Sequence, residues 1–190
     1  MALTDTAHQA IQKHFSHSDL SDKVAIDATC GNGHDTVFLA QMGFHTVLGF
    51  DIQKHAIEIT QQRLLDHQQN NTKLIHDGHE NLEQYIQSEI ECAMFNLGYM
   101  PNTDKTITTT ESTSIEAIKI SLNHLSETGL VSILCYPGHP QGAQETNAIQ
   151  SYLDNLGNRW QVDQILTNYP GPRAPILYCL LYTSPSPRDS

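Results

Sequence analysis

Five short aliphatic runs alternate with segments of helical spacing along most of the chain. Each run has the length and composition of a buried strand, and the segments between them place apolar residues three or four positions apart, as amphipathic helices do. Alternating strands and helices predict βαβ units, and hence a parallel sheet that helices cover on both faces. The five runs occupy residues 23–29, 45–51, 72–77, 91–97 and 129–136.

Two more strands follow, over residues 159–166 and 174–182, after a helix near 141–156. The link "TNYPGPR" between these strands is too short for a crossover helix, so the pair should be antiparallel. A parallel sheet that ends in an antiparallel hairpin is typical of class I methyltransferases. We therefore predict an α/β, Rossmann-like class I S-adenosylmethionine-dependent methyltransferase fold with a seven-stranded, mostly parallel sheet.

The length of 190 residues suits one domain, which we place at 1–182 with an additional helix over 4–17. The tail "TSPSPRDS", 183–190, alternates Ser with Pro, so we expect it to be disordered. It resembles adapter-derived sequence endings and is therefore a candidate non-native segment; the alternative is a natural flexible tail. The chain has neither an apolar run of 18 residues nor a signal-peptide pattern, which predicts a cytoplasmic protein with no membrane partner. Its four scattered cysteines form no CxxC pair, so we predict no metal site.

The charge balance restricts the choice of partner. The chain has 21 acidic residues against 10 Lys and Arg, a formal net charge of −11. Such a balance disfavours nonspecific attraction to a polyphosphate. Any nucleic acid must therefore be bound by a local patch, or by a patch that a homodimer assembles from two chains.

The segment "AIDATCGNGHDT", residues 25–36, is a candidate cofactor-binding turn. The first strand ends at Asp27, Gly31 and Gly33 allow a tight turn, and a helix follows from about His34. Backbone amides at such a helix start can face an anion or a polar ligand edge.

This turn fits S-adenosylmethionine better than NAD. The dinucleotide fingerprint requires a third glycine where Thr36 stands. The carboxylates of Asp27 and Asp35 would also repel a pyrophosphate, whereas the amino group and sulfonium of S-adenosylmethionine are cationic and would be attracted.

Acidic residues also end the next two predicted strands. Asp51 stands 18 residues after Gly33, where a carboxylate can accept hydrogen bonds from ribose hydroxyls. Asp77 ends the third strand, and Gly78 and His79 begin the loop where methyltransferases usually bind adenine. The alternative for any one of these acids is a helix cap, but three at successive strand ends favour a cofactor site.

Two further segments supply candidate catalytic residues. "FNLGYMPNTDK" has the N-x-x-Y spacing of amino-methyltransferases, in which Asn96 accepts hydrogens of the acceptor amine and Tyr99 stacks on a base, although Leu-Gly replaces the usual Pro-Pro. The alternative is an ordinary strand exit with Tyr99 as a packed aromatic. His139 follows the fifth strand and is either a proton-transfer group or an exposed loop residue. Near the end, "NYPGPRAP" brings Tyr169 and Arg173, and Arg173 could bind an RNA phosphate.

Four segments together resemble the YtqB-like rRNA methylase family, now associated with tRNA 5-aminomethyl-2-thiouridine methyltransferase (MnmM). They are "DATCGNGHDT", "GFDIQ", "FNLGYMPNTDK" and "YPGHPQGAQE", and the resemblance spans about residues 3 to 178. It implies methyl transfer from S-adenosylmethionine to the aminomethyl nitrogen of a wobble uridine in the anticodon arm of tRNA. The alternatives are methyl transfer to another amine in rRNA or a small molecule, a nicotinamide-dependent oxidoreductase, and a cofactor-binding module without catalysis.

The resemblance also implies roles for individual residues. It assigns the methionine end of the cofactor to Asp27, Cys30, Gly31, Gly33, His34, Asp35 and Thr36. The ribose would be bound by Asp51 and Gln53, and the adenosine end by Asp77, Gly78 and His79. The acceptor amine would be framed by Asn96, Leu97, Gly98 and Tyr99. We expect the catalytic residues to be Asn96, Tyr99 and His139.

Overall fold

The computed structural model describes residues 2–98 and 111–183. The predicted tail therefore lies, from residue 184 on, outside the described residues. In chain order the elements are α1 (Leu3–His14), β1 (Val24–Asp27), α2 (His34–Gln41), β2 (Thr46–Asp51), α3 (Lys54–Asp66), β3 (Thr72–His76), a 3-10 helix (His79–Gln84), β4 (Ile90–Leu97), α4 (Glu111–His124), β5 (Leu125–Cys135), α5 (Pro140–Asp154), β6 (Trp160–Leu166) and β7 (Ile176–Tyr182).

The strands form one seven-stranded sheet in the order β3-β2-β1-β4-β5-β7-β6. The first five are parallel, and β7 is antiparallel to both β5 and β6. The predicted fold class and the antiparallel hairpin are confirmed. The hairpin is turned so that its second strand, β7, joins the parallel strands and β6 forms the edge.

Two hydrophobic clusters pack against opposite faces of the sheet. One includes buried residues of α4 and α5, and the other includes those of α1, α2 and α3. Alternate residues of β5 belong to opposite clusters, with Leu130 and Leu134 on one face and Val131 and Ile133 on the other. The central strands are thus buried on both faces, which is why they form nearly continuous aliphatic runs in the sequence.

Two elements differ from the predictions. β5 begins at Leu125 rather than 129, because the hydroxyls of Ser126 and Thr128 donate to the buried carboxylate of Glu91 (2.7 and 2.6 Å) and extend β5 beside β4. The segment after β3, predicted to be helical, forms only a short 3-10 helix.

The helices of residues 2–98 and 111–183 are all too short or too polar to cross a membrane.

Candidate functional site

A cavity of about 810 Å³ opens at the carboxyl edge of the sheet, between the β1–α2 turn, the ends of β4 and β5, and helix α1. Its volume lies in the range of small-molecule pockets, and its position is the edge at which open α/β sheets bind ligands. The lining residues are Thr4, Asp5, His8, Thr29, Cys30, Gly31, Asn32, His34, Asp35, Asn96, Gly98, Tyr136, Gly138, His139 and Arg173.

The β1–α2 turn requires glycine at two positions. Gly31 and Gly33 have φ values of 52° and 79°, in the left-handed region that other residues rarely adopt. A Cβ on Gly33 would also lie 2.9 Å from the Cα of Thr60 in α3. Arg63 of α3 donates from Nε to the carbonyl of Asn32 (2.7 Å), so the turn is held tightly against α3.

Asp51, at the end of β2, also fixes this turn. One carboxylate oxygen accepts a hydrogen bond from the backbone amide of Gly31 (2.9 Å), and the other accepts one from the backbone amide of Gln53 at the start of α3 (2.9 Å). Burial raises the pKa of Asp51, while these two hydrogen bonds oppose the rise. Each oxygen retains acceptor capacity, so the predicted contact of Asp51 and Gln53 with a ribose stays a prediction.

Asp27 lies beneath the turn and is fully buried. Its oxygens accept hydrogen bonds from the hydroxyl of Thr36 (2.5 Å) and the backbone amide of Thr29 (3.1 Å). Burial, followed by the neighbouring charge of Asp35, raises its pKa to about 7. Asp27 and Thr36 lie outside the cavity lining and support the turn, whereas Asp35 is part of the lining.

Asp35 joins three elements at the cavity wall. Its side chain is 6% exposed, and it accepts a hydrogen bond from His8 Nε2 of α1 (2.6 Å) and another from Asn96 Nδ2 of β4 (3.3 Å). The His8 ring stacks on Phe38 with ring centroids 3.8 Å apart. The Asp35 carboxylate therefore has a fixed position and directs the amide nitrogen of Asn96 toward itself.

The far wall of the cavity is formed at the end of β5. A Cβ on Gly98 would lie 3.2 Å from the ring of Tyr136, so glycine lets this ring pack over the end of β4. Burial raises the pKa of Tyr136, and hydrogen bonding with Thr4 and Asn96 opposes the rise.

His139 caps helix α5, because its Nδ1 accepts the amide of Gly142 (3.0 Å). The neutral tautomer that keeps this hydrogen bond carries its hydrogen on Nε2. Protonation of Nδ1 would break the cap, which weakens the prediction that His139 accepts a proton.

Asp77 shapes the loop after β3. It accepts hydrogen bonds from the amide of Gly78, the side chain of Asn81 and the hydroxyl of Tyr85, each 2.8 Å long. The bonds from Tyr85 and then Asn81 lower the pKa of Asp77. These bonds tie the 3-10 helix back to the end of β3.

His79 is buried at the start of the same loop, where its Nδ1 donates to the carbonyl of Ala28 (3.2 Å) and its ring lies 5.9 Å from that of Phe95. Burial lowers its pKa. These contacts join the β3 loop to the end of β1. Contact of Asp77, Gly78 or His79 with an adenosine stays a prediction.

The structure thus brings part of the predicted site into one cavity. The predicted residues that line it are Cys30, Gly31, His34, Asp35, Asn96, Gly98 and His139. Those that lie outside its lining are Asp27, Gly33, Thr36, Asp51, Gln53, Asp77, Gly78, His79 and Leu97. Tyr99 lies outside the described residues.

Sequence reasoning missed the contribution of α1, which lines the cavity with Thr4, Asp5 and His8. The signal was present, since Thr4 and His8 stand four residues apart and so share a helix face. The apolar face of this helix, Leu3, Ala7 and Ile11, is buried. Tyr136, at the end of β5, was also missed.

No three His, Cys, Asp or Glu side chains within residues 2–98 and 111–183 are grouped so that they could hold a metal ion.

A family model described as "Putative rRNA methylase" matches residues 47–180. An Arabidopsis thaliana protein named tRNA (mnm(5)s(2)U34)-methyltransferase, chloroplastic, is 32% identical over 167 residues. The match covers 80% of this chain and 59% of the plant protein, so the chain spans about three fifths of that relative's length.

Two solved bacterial structures are similar over nearly their whole length. A putative rRNA methylase from Clostridium thermocellum has a TM-score of 0.87 and 32% identity, covering 95% of this chain and 97% of its own. A putative methyltransferase from Streptococcus mutans, solved in complex with SAH, has a TM-score of 0.77 and 32% identity, covering 90% and 97%.

Proposed function

The chain belongs to the rRNA methylase family, and on this basis we propose that it is an S-adenosylmethionine-dependent N-methyltransferase that acts on tRNA. Its acceptor is the aminomethyl nitrogen of a modified wobble uridine. The names of the Arabidopsis relative and of the Streptococcus mutans complex support the substrate and the cofactor respectively. The predicted cytoplasmic location and homodimer remain proposals.

The negatively charged side chains of the site fit the cationic groups of the cofactor. Asp35 and Asp5 place carboxylates in its lining, and these attract the cationic amino group and sulfonium. Asp51, whose oxygens already hold Gly31 and Gln53, is the residue for the ribose hydroxyls. When bound, the cofactor supplies a methyl group that its sulfonium has already activated.

The observation that carries the proposal is the hydrogen bond between Asn96 and Asp35 at the cavity wall (3.3 Å). It fixes an amide and a carboxylate side by side. Such a pair can accept the hydrogens of an amine and so orient its lone pair for in-line attack. Most of the catalysis would then come from this positioning.

The acceptor amine must lose a proton before it attacks, because alkylamines are largely protonated near neutral pH. Asp35 is our candidate for receiving this proton, with His8 hydrogen-bonded behind it (2.6 Å). His139 is less suitable, since its Nδ1 caps α5.

The test is a labelled-methyl assay on two tRNA preparations, one carrying the aminomethyl uridine and one lacking only that modification. We expect label in the first and none in the second. Label in neither, despite cofactor binding measured by calorimetry, would refute the tRNA proposal.

A small amine acceptor is the second candidate, favoured by the net charge of −11, which disfavours long-range attraction of RNA. The free modified nucleoside serves as the probe for this alternative. If the nucleoside is methylated as efficiently as the tRNA, the small-molecule function is preferred.

A further inference from the structure

The loop between β6 and β7, residues 167–175, exposes an aromatic side chain. Tyr169 is 90% exposed. Of the large hydrophobic side chains that are exposed in the described part of the chain, Tyr169 is the most exposed and the one aromatic. An exposed ring next to a ligand site is a candidate for stacking on a planar group.

The same loop reaches the cavity through Arg173, which is part of the lining. Its backbone oxygen lies 3.5 Å from the position a Cβ on Gly138 would take, so the loop packs against the segment after β5. Four residues span at most about 14 Å, which keeps Tyr169 close to the cavity. Pro170 and Pro172 also restrict the backbone between Tyr169 and Arg173.

We propose that this loop binds single-stranded RNA beside the target nucleotide. Tyr169 stacks on the base next to the one that enters the cavity, and Arg173 pairs with a phosphate between them. Aromatic stacking and arginine contacts are the usual means of holding unpaired nucleotides. This inference rests on the proposed function, and it names the residues that hold the RNA beside the target nucleotide.

The net charge of the chain agrees with binding by base stacking and a single phosphate contact. With a formal net charge of −11, the chain cannot rely on many phosphate contacts. Base stacking requires no net positive charge, and the phosphate contact of Arg173 helps to set the register of the backbone. We therefore expect RNA binding to be only weakly salt-dependent for an RNA-binding protein.

The experiment measures binding of an anticodon stem-loop RNA by fluorescence anisotropy. The variants are Tyr169→Ala, Tyr169→Phe and Arg173→Gln. The matched control is Leu65→Ala, which removes another exposed hydrophobic side chain (60% exposed) from α3. Calorimetric titration with S-adenosylmethionine shows whether each variant keeps the cofactor site intact.

We expect Tyr169→Ala to weaken RNA binding about 5- to 150-fold, while Tyr169→Phe and Leu65→Ala bind like the wild type. Arg173→Gln should weaken binding and reduce the salt slope by about 0.7. The calorimetric titration should show unchanged affinity of Tyr169→Ala for S-adenosylmethionine. Unchanged RNA binding by Tyr169→Ala, or no binding by the wild type, would overturn the inference.

Two more outcomes separate this inference from the proposed function. If the wild type binds RNA through Tyr169 but transfers no methyl group to it, the proposed function fails and the RNA-binding loop stands. If tRNA is methylated with the same KM by wild type and Tyr169→Ala, the function stands and the inference fails. A Tyr169→Ala change in oligomeric state without a change in RNA affinity would assign the loop to a protein interface and overturn the inference.

Discussion

His8 Nε2 lies 2.6 Å from Asp35 Oδ1, and this hydrogen bond joins the first helix of the chain to the start of α2 at the cavity wall. The ring is held on its face by Phe38. Because Asp35 also accepts from Asn96, α1 helps to position the carboxylate and amide that we assign to the acceptor amine.

Replacing His8 with alanine should lower the kcat of methyl transfer. The expected loss is about 10-fold for a residue that only positions Asp35, and about 10²- to 10⁴-fold for one that takes part in proton transfer. Steady-state kinetics over a range of pH would measure this. His8→Gln keeps a donor for Asp35. Rescue by glutamine would indicate positioning, and failure with an altered pH profile would indicate proton transfer.

His14→Ala is the control for this helix. His14 donates to the carbonyl of Thr128 (2.8 Å) and is not part of the cavity lining. It should leave kcat unchanged. Equal effects of the two alanine variants would show that His8 merely stabilises α1.

Asn96→Ala should reduce turnover about 10²-fold and leave the affinity for S-adenosylmethionine nearly unchanged. An interaction that orients the acceptor acts mainly in the transition state, so its loss lowers kcat. Single-turnover transfer and calorimetry would measure the two quantities separately. Asn155→Ala removes an exposed amide that donates to the carbonyl of Ser151 at the end of α5. It should change neither the turnover nor the cofactor affinity. Weakened cofactor binding with a normal bound-state rate would contradict the assigned role of Asn96.

The sequence predicted the sheet well because its central strands are buried on both faces and form unbroken aliphatic runs. The β1–α2 turn could also be predicted from the sequence, since Gly31 and Gly33 adopt left-handed conformations that favour glycine. The position of β7 between β5 and β6 was not predicted, because the length of a hairpin link fixes strand direction but not which strand joins the sheet.

The individual roles of the acidic residues could not be predicted from their positions at strand ends. Asp27 is covered by Thr29 and Thr36, whereas Asp35 lines the cavity. This difference depends on side-chain packing between α1, α2 and β4, which sequence spacing does not record. The partnership of His8 with Asp35 spans 27 positions and is likewise a product of the fold.

Gly33→Ala should destabilise the protein and abolish tight cofactor binding. The residue has φ of 79°, and a Cβ would lie 2.9 Å from the Thr60 backbone, so the strain of the conformation, about 1–3 kcal/mol, is joined by a steric clash. Gly43→Ala is the matched control, because its φ is 91° but a Cβ would meet nothing within 4 Å. Urea unfolding should show a clearly larger loss of stability for Gly33→Ala. Equal losses would mean that only the backbone conformation matters.

The fully buried carboxyl of Asp27 should make stability depend on pH. Its pKa is raised from 3.8 to about 7, by burial and then by Asp35, so the folded state binds its proton more tightly than the unfolded state does. Below about pH 4 both states are protonated. As the pH rises from 4 to 7, the unfolded state ionises first, and the free energy of unfolding falls by on the order of a few kcal/mol.

Asp27→Asn removes this titration while keeping a polar side chain beside Thr36. We therefore expect the wild type to lose stability relative to the variant as the pH rises from 4 to 7, with no further relative change above about pH 8. Urea unfolding at a series of pH values measures the difference, which removes the contributions of the other carboxylates. Asp22→Asn, at an exposed carboxylate, controls for the change in net charge and should retain the wild-type pH dependence. A constant difference between wild type and Asp27→Asn over this interval would mean that Asp27 is already ionised in the folded protein near pH 4, so that Thr36, Thr29 and the surrounding polar groups offset its burial.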